Sequence, residues 1–296
     1  MFKQTFLALG AGLLLSPAAW AQPQVVGTYP YITDLVKQIG GNKVEVSTLA
    51  RGDWDPHFIV PKPSLISQLR RADLLIINGA QLEVGWLPPL LRQASNAQIQ
   101  PGATGFLELS NYANLIQKPA NTSRAMGDVH PQGNPHFFLD PYQTVTLAGA
   151  IADKLCQIDG PQCPHYRSGK AAFDKRWQAK LKEWSARMRP HTGKKVLEYH
   201  RLHDYFLQRY RLGMVQTLEP LPGIPPSPAY LNEVIANAQK DKPILNLRGS
   251  YNPMDPSRFV SQKTSVKLST LPHDVGATPK AKDVFAVFDE IVAAFE

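Results

Sequence analysis

The chain has 296 residues, with 32 Lys and Arg against 24 Asp and Glu, a formal net charge of +8 and two cysteines. That length supports one large domain or two modest ones. The basic residues are dispersed and never run longer than a pair, so the charge describes a solvated surface and not a nucleic-acid or membrane-binding patch.

Residues 1–21 read as a secretory signal peptide: Lys3 supplies the positive start, Phe6 to Leu15 the short apolar stretch, and Ala19-Trp20-Ala21 the small-x-small cleavage site. The apolar stretch is too short to span a bilayer, and no cysteine beside the cleavage site offers a lipid attachment point. Cleavage after Ala21 leaves 275 residues with a formal charge of +7. The mature chain is expected to be exported, without membrane insertion.

After the leader, strand and helix patterns alternate. Gln24 to Tyr29 is β-rich, and Ile32, Leu35, Val36 and Ile39 repeat at helical spacing. Val44 to Leu49 reads as the next strand, Ser64 to Arg71 as a helix, and Leu74 to Gly79 as a continuous apolar strand closing in a turn. Such strands between helices indicate a parallel sheet covered on both faces. Tyr142 to Gln157 is a helix, and Tyr166 to Met188 is one long helix whose Phe173, Trp177, Leu181, Trp184 and Met188 recur every three or four residues until Pro190 ends it. Between these helices lie Cys156 and Cys163; an even cysteine count in an exported protein predicts a disulfide across the intervening turn.

The alternation then restarts: strand Lys195 to Tyr199, helices His203 to Tyr210 and Ser227 to Gln239, strand Pro243 to Leu247, strand Ser265 to Leu268, and a closing helix Ala281 to Phe295. The pattern predicts an α/β protein of two lobes, residues 22–165 and 191–296, with the long helix of residues 166–190 between them.

Three histidines carry the chemistry. They stand in Asp55-Pro56-His57, Asn134-Pro135-His136 and Glu198-Tyr199-His200, each at a strand end or helix start. Neutral imidazole is the commonest protein ligand for zinc and similar ions. Ligands so far apart in sequence exclude a local finger and require the fold to gather them. His203 is expected at the surface or behind His200, His130 in a solvated loop, and His165 and His191 at the surface flanking the long helix. Glu83, Glu198, Asp140 and Glu219 are the acids nearest these motifs, candidates to hold imidazole N–H groups.

The order of these motifs resembles the periplasmic metal-binding (solute-binding) proteins of zinc and manganese ABC importers, the cluster A-I family. The resemblance rests on Asp55-Pro56-His57 with Pro61-Lys62-Pro63-Ser64, Ala72-Asp73-Leu74 leading to Asn78-Gly79, Leu82-Glu83 with Trp86-Leu87, Asn134 to Pro141, and Tyr199-His200 with Tyr205-Phe206. The segment Thr217 to Pro220 with Gly223 to Ser227 resembles a less studied branch. The resemblance implies two lobes, each a mostly parallel four-stranded sheet with helices, joined by one rigid helix. It implies a periplasmic carrier that holds its ion in the cleft and works with the membrane permease of an ABC importer. It makes His57 and His136 the N-lobe ligands and His200 the first C-lobe ligand. The family's fourth ligand is a carboxylate in the loop after the last strand, which here reads Leu271-Pro272-His273-Asp274-Val275-Gly276. His273 is favoured for its Pro-His context and its suitability for zinc, with Asp274 the alternative.

A nitrogen-rich set favours Zn2+ as cargo over Mn2+, which prefers oxygen donors. Residues 119–134 hold only His130 and Asp128, so a His-rich collecting loop is lacking. An exported zinc-dependent hydrolase and a metal-dependent adhesion or interaction protein are the rival readings; no H-E-x-x-H segment supports the former. The chain is therefore expected to be a monomeric carrier without catalytic residues or nucleic-acid partner.

Overall fold

A computed structural model describes residues 22–121 and 127–296; the leader expected at residues 1–21 lies outside the described residues. The N-terminal lobe is built from β1 (Gln24–Gly27), α1 (Pro30–Gly40), β2 (Glu45–Thr48), α2 (Pro63–Arg71), β3 (Leu74–Ile77), α3 (Leu87–Ala94), β4 (Phe106–Glu108) and α4 (Thr144–Ile158). The long helix α5 (Cys163–Met188) follows. The second lobe holds β5 (Lys195–Glu198), α6 (Asp204–Arg209), β6 (Gly213–Thr217), α7 (Pro228–Asp241), β7 (Leu245–Gly249), α8 (Met254–Thr264) and β8 (Lys267–Leu271), and α9 (Val284–Ala293) ends the chain.

Each lobe carries a four-stranded parallel sheet, ordered β2-β1-β3-β4 and β6-β5-β7-β8. The two orders are the same winding repeated. In each, the first strand connects outward to one side and then across to the other, which opens a crevice at the carboxyl ends of the strands. Val25, Val26, Leu74, Leu75 and Ile76 are buried, as strands covered by helices on both faces require.

Many helices open on proline. It occupies one of the first two positions of α1, α2, α3, α5 and α7, where the missing N–H would have no intrahelical partner and the fixed φ suits the helix. The Leu87-Pro88-Pro89 and Met254-Asp255-Pro256 segments, given no element in the sequence reading, begin α3 and α8. Strand β4 has only three residues, and β6 is an edge strand with no fully buried position.

The disulfide forms between Cys156, in the last turns of α4, and Cys163, the first residue of α5, with Cα atoms 4.4 Å apart. The buried stripe of α5 is the one expected, Phe173, Trp177, Leu181, Trp184 and Met188, with Tyr166 added. Its partner is the closing helix. Trp177 packs 4.9 Å from Phe285 and 5.6 Å from Phe288, and Trp184 lies 5.2 Å from Phe288 and donates Nε1–H to Asp289 Oδ1 at 2.7 Å. At its start, α9 is tied to α1, where Val284 N donates to Asp34 Oδ2 at 3.0 Å. The chain after residue 191 therefore does not all stay with the second lobe. The last helix returns because its apolar face, Val284, Val287, Phe288, Ile291 and Val292, is buried against α5 and α1.

Candidate metal centre

His57 lies on the loop after β2, His136 at the end of the loop after β4, and His200 two residues beyond β5, all at carboxyl ends of strands. The fold brings the three together across the lobes. Their ring centroids are 5.2 Å (His57–His136), 5.4 Å (His57–His200) and 5.5 Å (His136–His200) apart, and one ring nitrogen from each falls within 4.8 Å of the others.

Both N-lobe histidines are aimed by the same local device. Asp55 Oδ1 accepts the His57 backbone N–H at 3.0 Å, and Asn134 Oδ1 accepts that of His136 at 2.9 Å. Each is an Asx turn closed over a proline, so the side chain two residues on has a fixed direction. Asp55 also receives His57 Nδ1 at 2.8 Å, which fixes the tautomer with the Nε2 lone pair facing the cluster. His200 has no such turn. Its Nδ1 meets Glu219 Oε2 at 2.7 Å, and Glu219 also accepts Gly223 N at 3.2 Å. His57 Nε2 and His136 Nε2 are buried and have no hydrogen-bond partner among the described residues, an arrangement that favours a ligand in the space between them.

The electrostatics separate the three. Burial holds the His136 imidazole well below its ordinary pKa, and the neighbouring His57 and His200 add to this. Burial also pulls on His200, but the Glu219 carboxylate outweighs it, and the imidazole is raised above its ordinary value. Asp55 is lowered: the penalty of burial is overcome by its hydrogen bond to His57.

The 271–276 loop is not part of the three-nitrogen set. Leu271, not Asp or Asn, precedes Pro272, so the Asx turn that aims His57 and His136 is lacking. Both His273 nitrogens face protein oxygens instead, Nε2 the Trp54 carbonyl at 3.1 Å and Nδ1 the Ser250 hydroxyl at 3.3 Å, and burial pushes its pKa down to about 4. Asp274 Oδ1 accepts the N–H groups of Tyr31 at 2.7 Å and Val275 at 2.6 Å, facing the start of α1. The 51–57 loop packs directly on this segment because Gly52 has no side chain; a Cβ there would lie 1.8 Å from the Val275 carbonyl oxygen.

Of the four acids singled out, only Glu219 holds a histidine of the cluster. Glu198 binds His203, through both its backbone N–H at 2.8 Å and its Nδ1 at 2.6 Å. His203 is accordingly fully buried beneath the site and not at the surface. Asp140 pairs with Arg209 through two hydrogen bonds of 3.0 and 2.7 Å. Glu83 accepts Thr28 Oγ1, Asn78 N and Gly79 N, fastening the loop after β3, and burial raises it to about 7. Asp55 was missed, although its signal stands beside His57: an acid two residues before a histidine, across a proline.

His130 is partly buried. Its ring stacks 5.6 Å from that of His57, and burial, with His57 and His200 nearby, lowers its pKa to about 4. His165 and His191 do not join the cluster: His165 Nε2 meets the Gly40 carbonyl at 3.0 Å, and the His191 ring lies 5.8 Å from that of Phe295.

Known proteins share this architecture and sequence. The metal ABC transporter substrate-binding lipoprotein SsaB of Streptococcus sanguinis is 23% identical over 251 residues, 83% of this chain and 78% of the relative. The manganese ABC transporter substrate-binding lipoprotein scaA of Streptococcus gordonii is 23% identical over 82% of this chain and 77% of its own length. The zinc-binding lipoprotein AdcA of Streptococcus pneumoniae is 22% identical over 74% of this chain and 43% of its own length. A crystal structure of ZnuA superposes with a TM-score of 0.75 at 22% identity, covering 93% of this chain and all (100%) of that one. A Mn-bound periplasmic metal-binding protein from Candidatus Liberibacter asiaticus gives 0.75 at 17% identity, over 92% of this chain and 99% of the other. The model of the family described as zinc-uptake complex component A, periplasmic, matches residues 25–286, and the chain belongs to that family.

Proposed function

We propose that this protein captures a divalent transition metal, Zn2+ foremost, between its lobes in the periplasm and delivers it to the membrane permease of an ABC importer. The observation that carries the reading is the convergence of three imidazoles from both lobes, with His57 Nε2 and His136 Nε2 buried and without a hydrogen-bond partner among the described residues. His57, His136 and His200 are the ligands. Asp55 and Glu219 fix two of them, which raises their basicity as donors. Relatives named for zinc and for manganese both occur, so the preference rests on the donors: nitrogen ligands favour zinc over manganese in the divalent series. The 271–276 loop contributes His273 only if that residue gives up the contacts at Trp54 and Ser250.

Two further points belong to the reading. The protein acts as a carrier and not as an enzyme: Asp55 and Glu219, the carboxylates on the cluster, already hold imidazole nitrogens. Export through the 1–21 leader is part of the same proposal. Among the described residues no helix is long and apolar enough to cross a membrane. The deciding experiment is the metal content of protein purified from the periplasm, followed by Zn2+ against Mn2+ competition. One zinc per chain that manganese does not displace supports the reading; preferential manganese loading overturns the choice of cargo, and no stoichiometric metal overturns the site.

A further inference from the structure

The 127–130 segment does more than border the cleft. Asp128 N donates to the Pro222 carbonyl at 2.9 Å, so this segment of the first lobe is fastened to the second. Gly127 makes that approach possible. Its φ is +75°, and a Cβ there would lie 2.2 Å from the Pro222 oxygen. Pro222 precedes Gly223, whose N–H is held by the same Glu219 oxygen that holds His200 Nδ1. The latch and the orientation of His200 therefore share one short segment of chain.

From this latch His130 reaches back over the cluster. Its ring lies against His57, and its Nε2 is buried without a hydrogen-bond partner among the described residues. It lines one cavity with His136, His200, Asn134 and Pro222. A buried imidazole nitrogen with no protein partner beside three converging imidazoles is an incomplete arrangement. His273, by contrast, has protein oxygens at both ring nitrogens.

Resting on the three-histidine reading, we propose that His130 is the fourth imidazole of the site, brought onto the bound ion by a side-chain rotation while the Gly127–Asp128 latch on Pro222 holds its segment in place. The rotation is needed because its nitrogen lies outside the 4.8 Å set and its ring runs nearly parallel to His57, at 28°. Zinc favours closing a tetrahedral set of four, and an imidazole on a latched segment can close it without rebuilding either lobe.

The test is zinc K-edge X-ray absorption, which counts imidazoles around the ion, together with competition titration, on the mature full chain. The unsubstituted protein should show four imidazoles. His130→Ala should show three with an oxygen donor, and weaken zinc binding by about tenfold or more. Gly127→Ala, which forces the latch apart while keeping the imidazole, should shift both readouts in the same direction. His273→Ala should leave the count at four. An unchanged count and affinity in His130→Ala, or a loss of one imidazole in His273→Ala, overturns the inference while leaving the three-histidine site standing. Failure of the unsubstituted protein to bind zinc overturns both.

Discussion

The first lobe aims its two histidines from turns that close within three residues, whereas the second aims His200 from a strand end and fixes it with a carboxylate nineteen residues further on. The N-lobe device is local: an Asp or Asn oxygen takes the backbone N–H of the histidine, and a proline between them limits the chain. The C-lobe device is tertiary and exists only once β5 and β6 lie side by side, because Glu219 follows β6. The comparison teaches that a ligand can be positioned by sequence alone or by sheet assembly, and that the cluster needs both. It also explains His273, which has the proline of the first device without its Asx residue and points elsewhere.

The largest effects should come from the three proposed ligands. His57→Ala, His136→Ala and His200→Ala should each remove several kcal/mol from a zinc-binding free energy on the order of 10 kcal/mol or more. His165→Ala and His191→Ala should leave it unchanged, as calorimetry on the full chain would read. Similar losses for all three ligands would mean that the two devices deliver equivalent donors; a mild effect at His200 alone would break the comparison by making the C-lobe donor dispensable.

The orienting carboxylates come next. Asp55→Asn keeps an oxygen to close the turn but loses the charge on His57 Nδ1, and Glu219→Gln does the same at His200, so each should weaken zinc about 10–100-fold. Asp55→Ala loses the turn as well and should be worse than Asp55→Asn. The pH dependence sharpens the contrast. His200 is raised by Glu219, so a proton competes with metal there first as pH falls. In the metal-free protein, NMR titration should place His200 above the ordinary histidine pKa of about 6.5, and Glu219→Gln should bring it down.

The signs for stability follow by linkage. His200, raised on folding, contributes stability that is present below about pH 6.5 and lost as pH rises through its folded pKa. His136, His130 and His273 are depressed, the last two to about 4, so their contribution is lost as pH falls below about 6.5. Glu83, raised to about 7 by burial, acts in the opposite sense over the same interval, so the histidine contribution is read by difference. Between about pH 6.5 and 4.5, chelator-treated His273→Gln should lose less melting temperature than the unsubstituted protein; an equal loss would show that His273 does not contribute.

What the sequence made legible tracks the same division. His57 and His136 announce themselves because their turns are written within three residues, and the parallel sheets because their apolar runs are continuous. Glu219 is visible as an acid near a motif but not as the partner of His200, since only the parallel register of β5 and β6 brings them together. Glu198 looked equivalent from its distance in sequence, yet it points into the core at His203. His130 was hidden for a related reason: its segment looks solvated unless one knows that Gly127 allows it to touch Pro222. The return of α9 onto α5 was equally hidden, because an amphipathic helix records that it is buried but not against which lobe.

The smallest expected effect asks which half of the N-lobe device matters. Replacing Pro56 or Pro135 by Ala leaves the Asx hydrogen bonds of 3.0 and 2.9 Å available. It also keeps the two carbonyl contacts that anchor the turns, Tyr29 Oη to Pro56 O at 2.9 Å and Asn78 Nδ2 to Pro135 O at 3.1 Å. What changes is the freedom of the unbound and unfolded chain, worth roughly 0.4–1 kcal/mol per proline. Zinc affinity should therefore fall only a few-fold in Pro56→Ala and Pro135→Ala. Asn134→Ala should cost more, because it removes the turn together with the Asn134 Nδ2 bond of 2.9 Å to the Arg201 carbonyl, one of the direct links between the lobes beside the cluster. Pro272→Ala should leave affinity unchanged, since the turn it stiffens aims none of the three proposed ligands. If instead the proline variants lose as much as Asn134→Ala, the N-lobe histidines are held by backbone stiffness and not by the Asx oxygen, and the absence of an Asx residue before Pro272 no longer explains why His273 points away.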